Sequence, residues 1–260
     1  MTTSPIARKT SAISKLAKSA TFSALALTAV VTGLFAGSTA TASAAEDPCA
    51  AVEVVFARGT FEAPGVGATG QAFVDALTAR LPGKSVDVYA VNYPASLDFG
   101  QAVDGVADAS NRIQSIATQC PSTKIVLGGY SQGAAVAGYT TASEVPAGFA
   151  LPASISGPMP ASVASHVAAV ALFGTPDSWF LGLVDRSAPA INIGDAYTAK
   201  TIQMCAPGDP VCFPGGLDRS AHSSYKSNGM ADQAADFVAN RLGAPAATMV
   251  QAAGEATPGN

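Results

Sequence analysis

Charge is scarce in this sequence. Lys, Arg, Asp and Glu make up 12% of its 260 residues, against 48% hydrophobic. A chain this apolar buries enough surface to outweigh its ordering entropy, so disorder is excluded. Neither the glycine period of collagen nor the heptads of a coiled coil are present. Lys/Arg runs are also lacking, which argues against a nucleic-acid partner. Histidine occurs only twice and cysteine four times, so few side chains can serve as an imidazole base or a thiol. The length fits one sizeable domain better than two small ones.

A basic segment and a long uncharged apolar run open the sequence. Arg8, Lys9, Lys15 and Lys18 precede an apolar stretch from Ala20 to Ala36, followed by small residues ending Ala42-Ser43-Ala44. That is the layout of a secretory signal peptide, and its apolar core is short and diluted for a bilayer span. Residues 1–44 are therefore expected to be a cleaved leader, residues 45–245 the folded domain and residues 246–260 a frayed tail. Without the leader the chain keeps ten basic against 18 acidic residues, a net charge of −8, and no candidate membrane span. Secretion to the extracellular space or cell envelope follows, and with it an oxidising compartment. Cys49, Cys120, Cys205 and Cys212 then read as two disulfides with three possible connectivities. They contain no C-x-x-C pair and no adjacent histidine, so no metal site is expected.

Five runs rich in Val, Ile and Leu stand out in the folded part: Val52–Ala57, Val86–Val91, Lys124–Leu127, Val167–Phe173 and Lys200–Met204. Near-continuous apolar runs mark strands buried on both faces of a parallel sheet. Between them, Phe73, Val74, Leu77 and Leu81 fall at helical spacing, as do Val103, Val106, Ile113 and Ile116, and later Met230, Ala234, Phe237, Val238 and Leu242. This alternation predicts an α/β fold with a doubly wound sheet, whose sites lie at the carboxyl ends of the strands. The Pro- and Gly-bearing stretch Glu144–Ser162 reads as an irregular connection.

The segment KIVLGGYSQGAAVAG, Lys124 to Gly138, carries the chemistry. A buried strand runs into Gly129-Tyr130-Ser131-Gln132-Gly133 and a small-residue helix follows, which is the G-x-S-x-G nucleophile elbow in its required context. A serine hydroxyl needs an oriented imidazole as base. His166 sits at the amino end of a strand, on the wrong edge of the sheet. His222 lies between the fifth strand and the last helix, where a loop can reach the carboxyl edge. An acid must fix the tautomer of His222. The chain order Ser, Asp/Glu, His limits the choice to Glu144, Asp177, Asp185, Asp195, Asp209 and Asp218. Asp209 is favoured because it follows the fifth strand directly and lies between Cys205 and Cys212, whose pairing would hold its loop. Asp218 reads as a solvated loop carboxylate.

The elbow GYSQG, the segment GDPVC with a histidine thirteen positions after its aspartate, the early Arg58-Gly59-Thr60-Phe61-Glu62 and the texture SHVAAVALFGTP together resemble the cutinase family. They are similar in particular to the secreted cutinase-like esterases of mycolic-acid-bearing actinobacteria, from Pro48 to Leu242. The resemblance implies an α/β-hydrolase-like three-layer α/β/α sandwich with a five-stranded parallel sheet, and an accessible serine without a large lid. It also implies the pairs Cys49 with Cys120 and Cys205 with Cys212. By the same carry-over Ser131 is the nucleophile, His222 the base and Asp209 its partner, with the backbone N–H of Gln132 and Thr60 forming the oxyanion hole. Many family members carry Ser where Thr60 stands, and either hydroxyl can donate.

The loop Asp177–Ala190 is apolar enough for Phe180, Leu181, Leu183 and Val184 to line a substrate groove or meet a lipid or polymer surface. The expected function is a secreted serine carboxylester hydrolase, acting as a monomer and without metal or organic cofactor on short- to medium-chain acyl or lipid esters, polyesters included. Its rivals are an acyltransferase on cell-envelope lipids, an acetylxylan-type esterase, and an envelope binding protein with a vestigial serine site.

Overall fold

The computed structural model describes residues 49–146 and 151–243. The expected leader, 1–44, and tail, 246–260, lie outside the described residues. Among those described, the elements follow in the order β1 (Val52–Ala57), α1 (Gly67–Ala79), β2 (Val86–Ala90), α2 (Ala102–Gln119), β3 (Lys124–Tyr130), α3 (Gln132–Thr140), α4 (Ala161–Ala164), β4 (Val167–Phe173), α5 (Ser178–Val184), α6 (Asp195–Thr198), β5 (Thr201–Met204), α7 (Arg219–His222) and α8 (Met230–Arg241). A short 3₁₀ turn, Phe99–Gln101, precedes α2.

All five strands pair in parallel, in the order β2-β1-β3-β4-β5. Strand periodicity sends alternate side chains to opposite faces, and each face buries its own core. Val54, Phe56, Val126, Ala171 and Phe173 pack under α1 and α8 with Phe73, Leu77, Ala234 and Val238. Val55, Ala57, Ile125, Leu127, Val170 and Leu172 pack under α2 and α3 with Val106, Ile113, Ala134 and Val136. The result is three layers, α/β/α. β1, wholly buried, shows why the apolar runs carry no alternation. β2, at the edge, is half exposed.

β3 runs three residues beyond its apolar stretch. Gly128, Gly129 and Tyr130 pair with Leu172 and its neighbours in β4, although glycine disfavours strands. The reason is space: a Cβ on Gly128 would lie 2.6 Å from the Phe56 ring. That ring belongs to a tilted cluster with Phe73 and Phe173 at centroid separations of 5.7 to 6.3 Å, which continues through Tyr225 and Tyr130 to the end of the sheet. Core and site are thus packed as one piece.

After β1 the chain adds β2 on one side and β3 on the other, so the sheet's switch point lies between β1 and β3. Their carboxyl ends open the crevice where open α/β sheets place ligands. Two disulfides close loops in this frame. Cys49–Cys120 ties the start of β1 to the end of α2, and Cys205–Cys212 closes the loop after β5.

Candidate active site

Ser131 occupies the turn between β3 and α3 with φ 55° and ψ −120°, a strained position for a residue with a side chain. Its N–H donates to the Phe173 carbonyl at 2.8 Å, which locks the turn to β4. The flanking glycines are sterically required. A Cβ on Gly129 would lie 2.1 Å from the Gly133 oxygen, and one on Gly133 would lie 2.0 Å from the Ala57 oxygen. So the pattern G-x-S-x-G follows from the closeness of β1, β3 and α3, and it projects Ser131 beyond the sheet's carboxyl edge.

His222 ends α7, a single turn capped by Asp218, whose carboxylate accepts from the Ser220 N–H at 2.8 Å. Asp218 is exposed as expected, yet it fixes the turn that carries the histidine. The imidazole lies at 5.1 Å from the Tyr130 ring, tilted by 30°, and the Tyr130 hydroxyl donates to the His222 carbonyl at 2.7 Å. Backbone and ring are therefore both held. Nε2 is 2.9 Å from Ser131 Oγ, and Nδ1 is 2.9 Å from each oxygen of Asp209.

Asp209 is fully buried. Its carboxylate accepts from the Val211 N–H at 2.8 Å and from the Tyr225 hydroxyl at 2.5 Å, besides His222. Burial works against its charge, but the bonds from His222, Tyr225 and Val211 outweigh it and hold the carboxyl below its ordinary range. Asp209 is thus ionised through the pH range in which an imidazole changes charge. The Cys205–Cys212 bridge closes the loop that presents it. Replacing both cysteines by serine should cost about 2.5 kcal/mol by loop entropy, read as a lower denaturation midpoint, with a larger fractional loss of activity as Asp209 loosens.

The other acids are engaged elsewhere. Asp177 caps α5 through the Phe180 N–H at 2.7 Å, Asp185 binds Ser187, and Asp195 opens α6. His166 precedes β4 at the amino edge, where its carbonyl accepts from Ile125.

The segment after β1 brings Thr60 to the same cleft as Ser131 and His222, and Gln132 opens α3. Glu62 holds this segment, since its two oxygens accept from the N–H groups of Gly59 and Ala68 at 2.7 and 2.8 Å. Arg58 completes the clamp by donating to the Glu62 and Tyr93 carbonyls at 2.8 and 2.7 Å. With Thr60 as the expected oxyanion donor, Glu62→Ala should lower kcat by about tenfold through misplacement of Thr60, and stability by about 1 to 2 kcal/mol. Kinetics and thermal melts on the same sample check both.

A cleft of about 260 Å³ opens beside Ser131, lined by Thr60, Phe61, Leu97, Phe99, Phe180, Val184 and Val211. The proposed groove residues separate here. Phe180 and Val184, one helical turn apart on α5, face the cleft, whereas Leu181 is 3% exposed within the protein and Leu183 is 66% exposed to solvent. A helix points residues 180, 181 and 183 in different directions, so one apolar run cannot line one groove. Leu181 and Leu183 therefore do not line the cleft, whereas Phe61, Leu97, Phe99 and Val211 do. Tyr225, on Asp209, was also not legible: it lies in the polar run Ser223-Ser224-Tyr225-Lys226-Ser227.

Among the described residues no group of three or more His, Cys, Asp or Glu side chains is arranged to hold a metal ion. None of the described helices is long and apolar enough to cross a membrane.

The chain has relatives of known family. The family model described as Cutinase matches residues 48–242. The chain belongs to the cutinase family. Among curated cutinase relatives, Carboxylesterase Culp1 of Mycobacterium tuberculosis is 50% identical over 197 residues, spanning 75% of this chain and 83% of that protein. Phospholipase Culp4 of the same organism is 45% identical over 222 residues, spanning 83% and 92%. Among solved structures, a Trichoderma reesei cutinase in complex with a phosphonate inhibitor is 34% identical with a TM-score of 0.55, covering 75% of this chain and 78% of that one. An acetylxylan esterase is 28% identical with a TM-score of 0.60, covering 75% and 99%. The cutinase α/β-hydrolase fold and its parallel sheet are common ground with these structures.

Proposed function

We propose that this cutinase is a secreted serine carboxylester hydrolase in which Ser131 is the nucleophile, His222 the general base and acid, and Asp209 the group that orients and charge-stabilises the imidazole. The observation that carries the reading is the unbroken series Ser131 Oγ, His222 Nε2, His222 Nδ1 and Asp209, with each contact at 2.9 Å. His222 Nε2 takes the hydroxyl proton as Oγ attacks the ester carbonyl. Asp209 keeps the other proton on Nδ1 and stabilises the imidazolium. The oxyanion is met by the N–H of Gln132 and by Thr60, donors of a kind typically worth about 3 kcal/mol each. His222 returns its proton to the departing alcohol and leaves an acyl-enzyme, which water activated by the same imidazole hydrolyses.

The cleft supports an apolar acyl group. Phe61, Leu97, Phe99, Phe180, Val184 and Val211 leave little polarity for a sugar to bond, which favours lipid or polyester substrates over acetylated polysaccharide. Residues 1–44 act as the leader and residues 45–245 as the catalytic domain in this reading, and the enzyme works outside the cell as a monomer.

Hydrolysis rates across an ester series from acetyl to palmitoyl, with a polyester film and acetylated xylan alongside, test it. Rates should peak at short to medium chains and be lowest on xylan. The same reactions with an added acceptor alcohol should give free acid as the main product; a main product of transferred ester would make the protein an acyltransferase.

A further inference from the structure

The Tyr225 side chain is fully buried, yet it stands three residues after His222 in a polar run and performs no step of the reaction above. Its hydroxyl lies 2.5 Å from Asp209 Oδ2 and 3.0 Å from the Ala206 N–H. A phenol has one proton. The Ala206 N–H can only donate, so it occupies a lone pair of the phenol oxygen and leaves the proton free to point elsewhere. Cys212 Sγ, 3.4 Å away, is bridged to Cys205 and accepts only weakly. The carboxylate is the far better acceptor, so the proton lies on the bond to Oδ2.

We infer that Tyr225 is a positioning residue for the Ser131–His222–Asp209 series, whose phenol holds Asp209 Oδ2 and sets the proton affinity of the Asp209–His222 pair. This rests on the roles assigned to those three residues above. Among the described residues the phenol is the one donor to Oδ2 besides His222, since the Val211 N–H serves Oδ1. It thus fixes the plane of the carboxylate that Nδ1 meets. It also stabilises the state in which the pair carries its full negative charge more than the imidazolium–carboxylate state. Removing it raises the pair's affinity for a proton, whichever member takes it.

Few other titratable groups face this phenol. Tyr130 on β3 presents its ring edge at 5.8 Å, and burial keeps its hydroxyl protonated. The His222 ring meets it edge-on at 6.4 Å. Glu62 acts at one remove, through its field on Tyr130. Phe173 packs on another side, and the surrounding cluster of Met204, Ala206, Ala221 and Ala231 is apolar.

The test is Tyr225→Phe, which keeps the ring and deletes the hydroxyl. For a soluble short-chain ester, kcat should fall by about tenfold with KM unchanged, and the acid limb of kcat/KM should move up by about half to one pH unit, the scale expected for a hydrogen bond to a charged group. Wild-type kcat and limb would overturn the inference, as would a fall in kcat without movement of the limb, which is what simple loosening of the core gives. If the variant does not fold by circular dichroism, the wild-type protein decides: a far-downfield phenolic proton that shifts when Ser131 is phosphonylated supports the bond, and its absence overturns it. Wild-type protein inactive on every ester would instead remove the esterase reading itself.

Discussion

Ser131→Ala should lower kcat on a short-chain chromogenic ester by about 10⁴-fold or more while KM changes little, because no acyl-enzyme can form without Oγ. On the proposed mechanism, what survives is rate enhancement from binding and from the Gln132 and Thr60 donors, acting on direct attack by water. The variant should remain folded. Alanine meets the same unfavourable φ of 55° that serine already tolerates, and the cost is the lost 2.9 Å contact with Nε2, about 1 kcal/mol. A melting temperature close to wild type together with lost turnover separates chemistry from collapse. Retained turnover would exclude Ser131 as nucleophile.

Asp209→Asn should be nearly as damaging, with a fall in kcat of about 10⁴-fold, for a different reason. The carboxylate only accepts, which keeps a proton on Nδ1 and leaves Nε2 free to take one from Ser131. An amide can turn its NH₂ toward Nδ1, and the imidazole then carries its proton on Nε2, facing the serine it should deprotonate. The substitution also changes how stability depends on pH. Asp209 has a lowered folded-state pKa, so its stabilising contribution is fully present above the unfolded value of about 3.9 and is lost as pH falls through the folded value. The Asn variant should lack that part of the acid loss, measured as the difference in melting temperature between pH 6 and pH 3. A fall in kcat of less than tenfold would remove Asp209 from the catalytic series.

Much of the fold was legible because burial on both faces leaves a plain trace. Val52–Ala57 and Val167–Phe173 were read as strands with the bounds they have in the structure. β3 was read short because Gly128 and Gly129 look like a turn in isolation, and only the Phe56 ring against them explains their place in the sheet. In the site, Ser131, Asp209 and His222 stood out by residue type, chain order and scarcity, and their side chains meet in the structure; their roles are what the substitutions above test. The rest was hidden by distance along the chain or by bonds to backbone groups. Leu97 and Phe99 reach the cleft from the loop after β2, Glu62 works through backbone N–H groups that no side-chain pattern reveals, and Tyr225 meets Asp209 across sixteen residues. α5 misled for a local reason: Trp179 to Val184 reads as one apolar patch until the helix turns its members toward cleft, core and solvent.

The most direct test of Ser131 as nucleophile is covalent. Treated with a p-nitrophenyl alkyl phosphonate, the wild-type protein should release one equivalent of p-nitrophenol per chain, lose its esterase activity in step, and carry a single adduct that peptide mass mapping locates on Ser131. The Ser131→Ala protein should release none. An adduct on another residue, or full activity in an unlabelled protein after prolonged exposure, would contradict the assignment.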